Sequence, residues 1–226
     1  MTSTTLISRS RAFAIVTVAT VISALAIGSV ASLSAASAAP ARKTAITPKA
    51  SAFHDAMRSL WQAHGTWTER AIVDFVGGLP DTNLVVARLL QNQVDIGNAV
   101  KPYYGRQAGK QLTALLKAHI NAAVAVLEAA KSGDAGAIAK AKAAFYANGN
   151  QVARFLHAAN PHHWSLGAMK TMMRVHLDQV IALAVDQLEG HYQAAIREYD
   201  VYIGHILDMA EMLSSGIIQQ FPARFR

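Results

Sequence analysis

Nine histidines and no cysteine make imidazole and carboxylate the natural metal-holding groups of this 226-residue chain, and rule out a thiolate ligand, a thiolate nucleophile or a disulfide. The histidines are not scattered. "LLKAHINAAVAV", from Leu115, aligns without gaps with "MMRVHLDQVIAL", from Met172, as an internal repeat. His119 falls on His176, Lys117 on Arg174, Asn121 on Asp178 and, at the same offset, Gly133 on Gly190. His119 precedes Gly133 by almost the interval at which Asn148 follows it, and His176 and His205 flank Gly190 in the same way. If both glycines mark hairpin turns, the four residues share one level, about 21 Å from the ends by helical rise. They also fall on apolar stripes, with His205 nearer the edge of its own, and His64 sits mid-way along the apolar side of an earlier helix.

Such a layer can do one of two things. Helical bundles build metal centres from inward side chains at one level, including ligands three apart on one helix, the spacing of His205 and Asp208. The candidate ligands are His64, His119, His176, His205 and Asp208, and imidazole with carboxylate suits zinc, copper or iron. The same residues could instead form a buried hydrogen-bond layer that fixes register. Other features carry less. His162-His163-Trp164 has the look of a surface clip, but adjacent side chains rarely converge on one ion. Asp95 reads as a helix cap in an irregular stretch. Met169, Met172 and Met173 read as core filling, and Tyr103-Tyr104-Gly105 as the start of a helix. No phosphate loop, nucleophile elbow or zinc-protease helix is present, so the reading leans away from an enzyme.

The elements that must position this layer are all helical, since apolar residues recur at helical spacing and no segment alternates with strand period. The pattern predicts a long first helix from about Ser51 to Val76, stopped by Gly77-Gly78-Leu79-Pro80. A short helix capped by Asp81 or Thr82 follows, ending near Gln91, then an irregular stretch through Asp95, Gly97 and Pro102 to Gly105. A long helix runs to about Lys131, another to about Ala159 before Asn160-Pro161, a fifth from Ser165 to Leu188, and a sixth from His191 to Ser214, with Gly216 as its stop. The expected architecture is an antiparallel up-down-up-down four-helix bundle of two hairpins, repeating at the interval from Gly133 to Gly190. The N-terminal long helix and the short helix pack beside it.

The N-terminus reads as an export signal. Arg9 and Arg11 precede an apolar run from Ala12 to Leu33, and Ser34-Ala35-Ala36-Ser37-Ala38 supplies a small-residue cleavage region. The expected organisation is a signal peptide over 1–38, a flexible leader over 39–50 and one helical domain over 51–226, placed outside the cytoplasm with no stable membrane span after processing. The chain is 52% hydrophobic and 15% charged, which excludes disorder. Its net charge of +7 drops when Arg9 and Arg11 are removed, and the remaining charges lie singly. That pattern excludes a nucleic-acid reader, which needs a concentrated basic footprint. A protein or small apolar ligand is the partner class left open.

The segments "LWQAHGTWTERAIV" from Leu60, "RLLQNQVDIG" from Arg88, "YYGRQAG" from Tyr103 and "HILDMAEMLSSGIIQQFP" from His205 resemble a family of small exported bacterial proteins. Its members often carry labels such as glycosyltransferase or acetylglutamate kinase, whereas this sequence holds neither a nucleotide-binding sheet nor its glycine-rich loops. The resemblance spans about residues 55–225 and implies export and an all-helical fold. It brings no catalytic residues with it.

Overall fold

The computed structural model describes residues 46–226; the predicted signal peptide and most of the leader lie outside them. The described residues are all helical. Helix α1 (Pro48–Gly77) opens with Pro48 in its first turn, where a missing N–H does no harm, and with the Thr47 hydroxyl accepting from Ala50 N. It therefore starts before the Ser51 of the sequence expectation. The others are α2 (Thr82–Ser132), α3 (Ala135–Ala159), α4 (Leu166–Leu188) and α5 (Tyr192–Gln220), followed by a short 3-10 turn, Pro222–Phe225. Glycines in the left-handed conformation stand at Gly78 (φ 66°), Gly133 (φ 72°) and Gly190 (φ 74°), each just beyond a helix end. The chain breaks at Gly190 as its spacing predicts.

The irregular stretch expected over residues 95–105 is not there. Helix continues through Asp95, Gly97 and Pro102, and within α2 only Gly105, at φ 86° and ψ 167°, leaves helical geometry. At that residue the chain folds back on itself. A Cβ built on Gly97 would lie 2.7 Å from the Gly109 carbonyl oxygen, and one on Gly109 2.6 Å from that of Gly97. In a straight helix positions twelve apart are separated by about 18 Å. Element α2 is thus two arms, 82–104 and 106–132, packed side by side, with Thr113 Oγ1 donating to the Gln93 carbonyl across the join. The arms approach so closely because neither glycine has a side chain. What reads as a short helix plus a loop is a full-length helix. By length and composition alone α2 is also apolar enough to cross a membrane, but Leu89, Ile96, Leu112, Leu116 and Val126 turn into the core.

The core runs the length of the bundle. Each helix packs on its neighbour in sequence, α5 packs back on α1, and α4 also reaches α1 and α2. Gly216 does not stop α5, which continues to Gln220. Its role is room: a Cβ there would collide with Trp164 Nε1, and the buried indole donates instead to the Met212 carbonyl at 3.3 Å. The adjacent His162 and His163 are exposed.

Candidate functional site: a layer of buried imidazoles

His64, His119 and His176 are each 2–3% exposed and meet in the middle of the core. The ring centroids of His64 and His176 are 5.8 Å apart, those of His119 and His176 5.5 Å, and those of His176 and His205 6.5 Å. His176 is the hub. His205 is half-buried, with its Nε2 donating to the Met172 carbonyl at 3.1 Å. Asp208 is exposed one turn further on and does not join the cluster, so the structure separates the expected i, i+3 pair. Among the described residues no three His, Asp or Glu side chains already stand in the geometry of an ion's ligand set.

Every helical rod places a polar group at this level. His119 Nδ1 donates to Asn148 Oδ1 at 2.9 Å, and Asn148 Nδ2 donates to the Leu115 carbonyl at 3.2 Å. On the first arm of α2, Asn92 and Gln93 are fully buried. Asn92 Nδ2 donates to the Leu60 carbonyl at 3.0 Å, and Gln93 Nε2 lies 3.2 Å from His64 Nδ1. These two residues are hidden from sequence reading by the loop expected around them. Gly78 exposes them, since His64 precedes it and Gln93 follows it at the intervals seen for the polar residues flanking Gly133 and Gly190.

The hydrogen bonds repeat as well, with Asn92, one residue before Gln93, taking the gripping place after Gly78. The carbonyls held by Asn92, Asn148 and His205 belong to Leu60, Leu115 and Met172, each one helical turn before its own histidine. A side chain of the second helix thereby grips the turn that carries the imidazole of the first. Only part of the layer is satisfied. His176 Nδ1 is buried with no partner, and so is Gln93 Oε1. Gln93 Nε2 meanwhile faces three acceptors, His64 Nδ1, the Leu89 carbonyl and Asn92 Oδ1, with two protons to give.

Burial keeps the layer uncharged. Desolvation, with a smaller contribution from His119, pushes the His64 pKa down to about 3. Desolvation pushes His119 down to about 4 against its bond to Asn148. His176, desolvated and ringed by the other three, falls well below its ordinary value. Among the described residues the only buried acid is Asp74, which lies near the C-terminal end of α1 and is paired with Arg70 Nε at 2.6 Å.

A cavity of about 30 Å³ adjoins the layer on one side, lined by Met57, Trp61, Leu116, Met172, Met173 and Met209 beside the three histidines. A second, of about 40 Å³, lies on the other side around Thr68, Ile120, Ala123 and Val180. Either holds a water-sized guest or two, whereas a dry cavity that binds benzene is about 150 Å³. These interiors leave no room for a bulky apolar ligand.

One other cluster resembles catalytic machinery. His54 Nδ1 lies 2.7 Å from Ser214 Oγ and 3.2 Å from Glu211 Oε2. A nucleophile triad needs serine and acid on opposite ring nitrogens. Here both share Nδ1, and the fully buried Ser214 donates to the Ala210 carbonyl. The cluster ties α1 to α5. Comparison with family models, curated proteins and solved structures finds no match to this chain.

Proposed function

We propose that this protein is an exported helical bundle that binds one transition-metal ion through His64, His119 and His176. The observation that carries the reading is the buried, unpartnered His176 Nδ1, surrounded by imidazoles whose other contacts are fixed by amides. Metal-bound histidines characteristically present their second nitrogen to such an oriented partner. His119 has this arrangement already, since its Nδ1–H is held by Asn148 and its Nε2 is left to the ion. His64 would take it with Nδ1–H donating to Gln93 Oε1, the oxygen that now has no acceptor role. All three rings line the adjoining cavity, which gives their donors a common space. Asp208 drops out of the ligand set by exposure, and His205, half-buried and 6.5 Å from His176 ring to ring, stands at the edge of the cluster and outside the proposed set.

The fold reading is part of the proposal. The antiparallel hairpins at Gly133 and Gly190 are joined by a third at Gly78, and the step from Gly78 to Gly133 nearly equals that from Gly133 to Gly190. Three hairpins, each with a histidine on its first helix and a gripping polar residue on its second, would close into an approximate threefold ring. The three histidines would then surround its axis. Export rests on the basic, apolar and small-residue order of residues 1–38.

Elemental analysis of untagged protein, followed by titration with zinc, copper and iron, tests this. One equivalent per chain is expected, lost in His119→Gln and retained in the exposed control His162→Ala. If neither purified nor reloaded wild type holds an ion while circular dichroism shows intact helix, the metal reading fails. A second reading would then stand, favoured by the absence of a converged ligand set among the described residues: a structural polar layer in a non-catalytic envelope protein that binds a partner.

A further inference from the structure

The three-histidine site proposed above leaves the ion's identity open, and its surroundings bear on that choice. An ion at this level keeps the whole of its charge, because no carboxylate among the described residues is buried with it. The cluster offers three buried imidazoles, which ligate an ion as neutral donors, and the amides around them are neutral too. The work of moving an ion from water into such an interior grows with the square of its charge, so a dication meets about four times the penalty of a monocation. Zinc sites commonly offset this with thiolates or carboxylates. Here the buried Asp74 is already paired to an arginine and stands well along α1 from His64.

Thioethers line the cavity that adjoins the imidazoles. Four of the chain's seven methionines, Met57, Met172, Met173 and Met209, line the small cavity beside the rings, on three different helices. Met57 and Met209 are 1% exposed, and Met172 and Met173 are 4% exposed. Leucine would fill that space equally well. Thioether sulfur differs from it as a neutral, soft ligand that selects copper(I) over harder dications.

We propose that the site takes a monovalent soft cation, copper(I), held by imidazoles of the His64, His119 and His176 cluster with thioether sulfur from the adjoining cavity. This rests on the three-histidine reading, and its test separates the two. Metal-free full-length protein is titrated anaerobically with copper(I) against a chromophoric chelator, with silver(I) as a redox-inert stand-in, and separately with zinc(II). Emission from Trp61, whose ring is 5.6 Å from His64, reports binding at the layer. The expected result is one equivalent of copper(I) or silver(I), bound at least about 100-fold more tightly than zinc(II), with Trp61 emission quenched. X-ray absorption of the copper(I) form should show both nitrogen and sulfur scatterers. Replacing Met57, Met172, Met173 and Met209 together by leucine should weaken copper(I) at least about tenfold and leave zinc(II) unmoved. Should that variant not fold, Met57→Leu and Met209→Leu singly carry the same expectation in smaller degree.

Zinc(II) bound as tightly as copper(I), and lost in His119→Gln, would overturn the monovalent assignment and leave the three-histidine site standing. Copper(I) affinity unmoved by the methionine variants would likewise remove the thioethers. No binding of any ion would overturn both.

Discussion

The protonation state of His64, His119 and His176 links the residue scale to stability. All three have folded-state pKa values below the ordinary 6.5, with desolvation the first cause in each case. In the unfolded chain they return to about 6.5. Between that value and the folded ones the unfolded state binds more protons, so stability falls as pH falls. The contribution is fully present above about pH 6.5 and is lost progressively below it, down through the values near 4 and 3. The limiting slope is about 1.4 kcal/mol per pH unit for each histidine that takes up a proton on unfolding. Thermal melts between pH 7.5 and 4.5 should show a falling Tm, and His176→Leu, which removes both the titration and the unpartnered Nδ1, should flatten that slope. A wild-type Tm independent of pH across this range would mean that the imidazoles are solvated and the layer is not buried.

Among the elements, the glycines of α2 decide whether one long rod or two packed arms exists. Gly105 takes a φ, ψ pair open to glycine alone, so Gly105→Ala should cost about 1–3 kcal/mol through backbone strain, with empty space around the new methyl. Gly97→Ala should cost at least as much for a different reason, because its Cβ would strike the Gly109 carbonyl oxygen and the Thr113 hydroxyl. Gly204→Ala, in open space on α5 with ordinary helical φ, should be neutral or stabilising by up to about 1 kcal/mol. Urea denaturation of the three variants measures this, and a Gly97→Ala as benign as Gly204→Ala would refute the folded-back α2. These glycines also explain what sequence could show. The turns at Gly133 and Asn160-Pro161 are legible because helix-breaking chemistry coincides with a lapse in the apolar stripe, whereas the one at Gly190 is legible only through its repeat offset from Gly133. Around Gly97 and Pro102 the same chemistry serves a close helix–helix approach, so a breaker pattern sits within helix. Asn92 and Gln93 are lost with that stretch. His119, His176 and His64 are recoverable since a histidine on an apolar stripe is conspicuous, whereas a buried glutamine amid Gln91, Asn92 and Gln93 resembles a polar surface. Asp208 is misplaced by spacing alone, which fixes its height along α5 but not which way it faces.

At the scale of the whole molecule, the path of the chain closes on itself. Helix α5 packs against α1 as well as α4, and Thr47 Oγ1 donates to the Phe225 carbonyl across the two ends of the described chain. Phe225 is buried there against Phe53 and Tyr103, with ring centroids 5.2 and 5.3 Å away. Chain ends that meet in a shared aromatic cluster can be joined without moving either, and stability then rests on interhelix packing rather than on where the backbone is cut. A permutant joining residue 226 to residue 46 by a short Gly/Ser linker, and opened between Glu189 and Gly190, should therefore fold. That cut lies in an exposed turn and severs one connection between consecutive helices while leaving the helices themselves whole. Its far-ultraviolet circular dichroism should match that of the parent lacking residues 1–45, with a stability lower by about 1–3 kcal/mol from the freed helix ends. It should also keep the same metal stoichiometry, because His64, His119 and His176 lie on rods that the permutation leaves whole. Loss of cooperative unfolding in this permutant, beside an intact parent, would show that the α4–α5 connection holds the layer together and that the ring is not closed by packing.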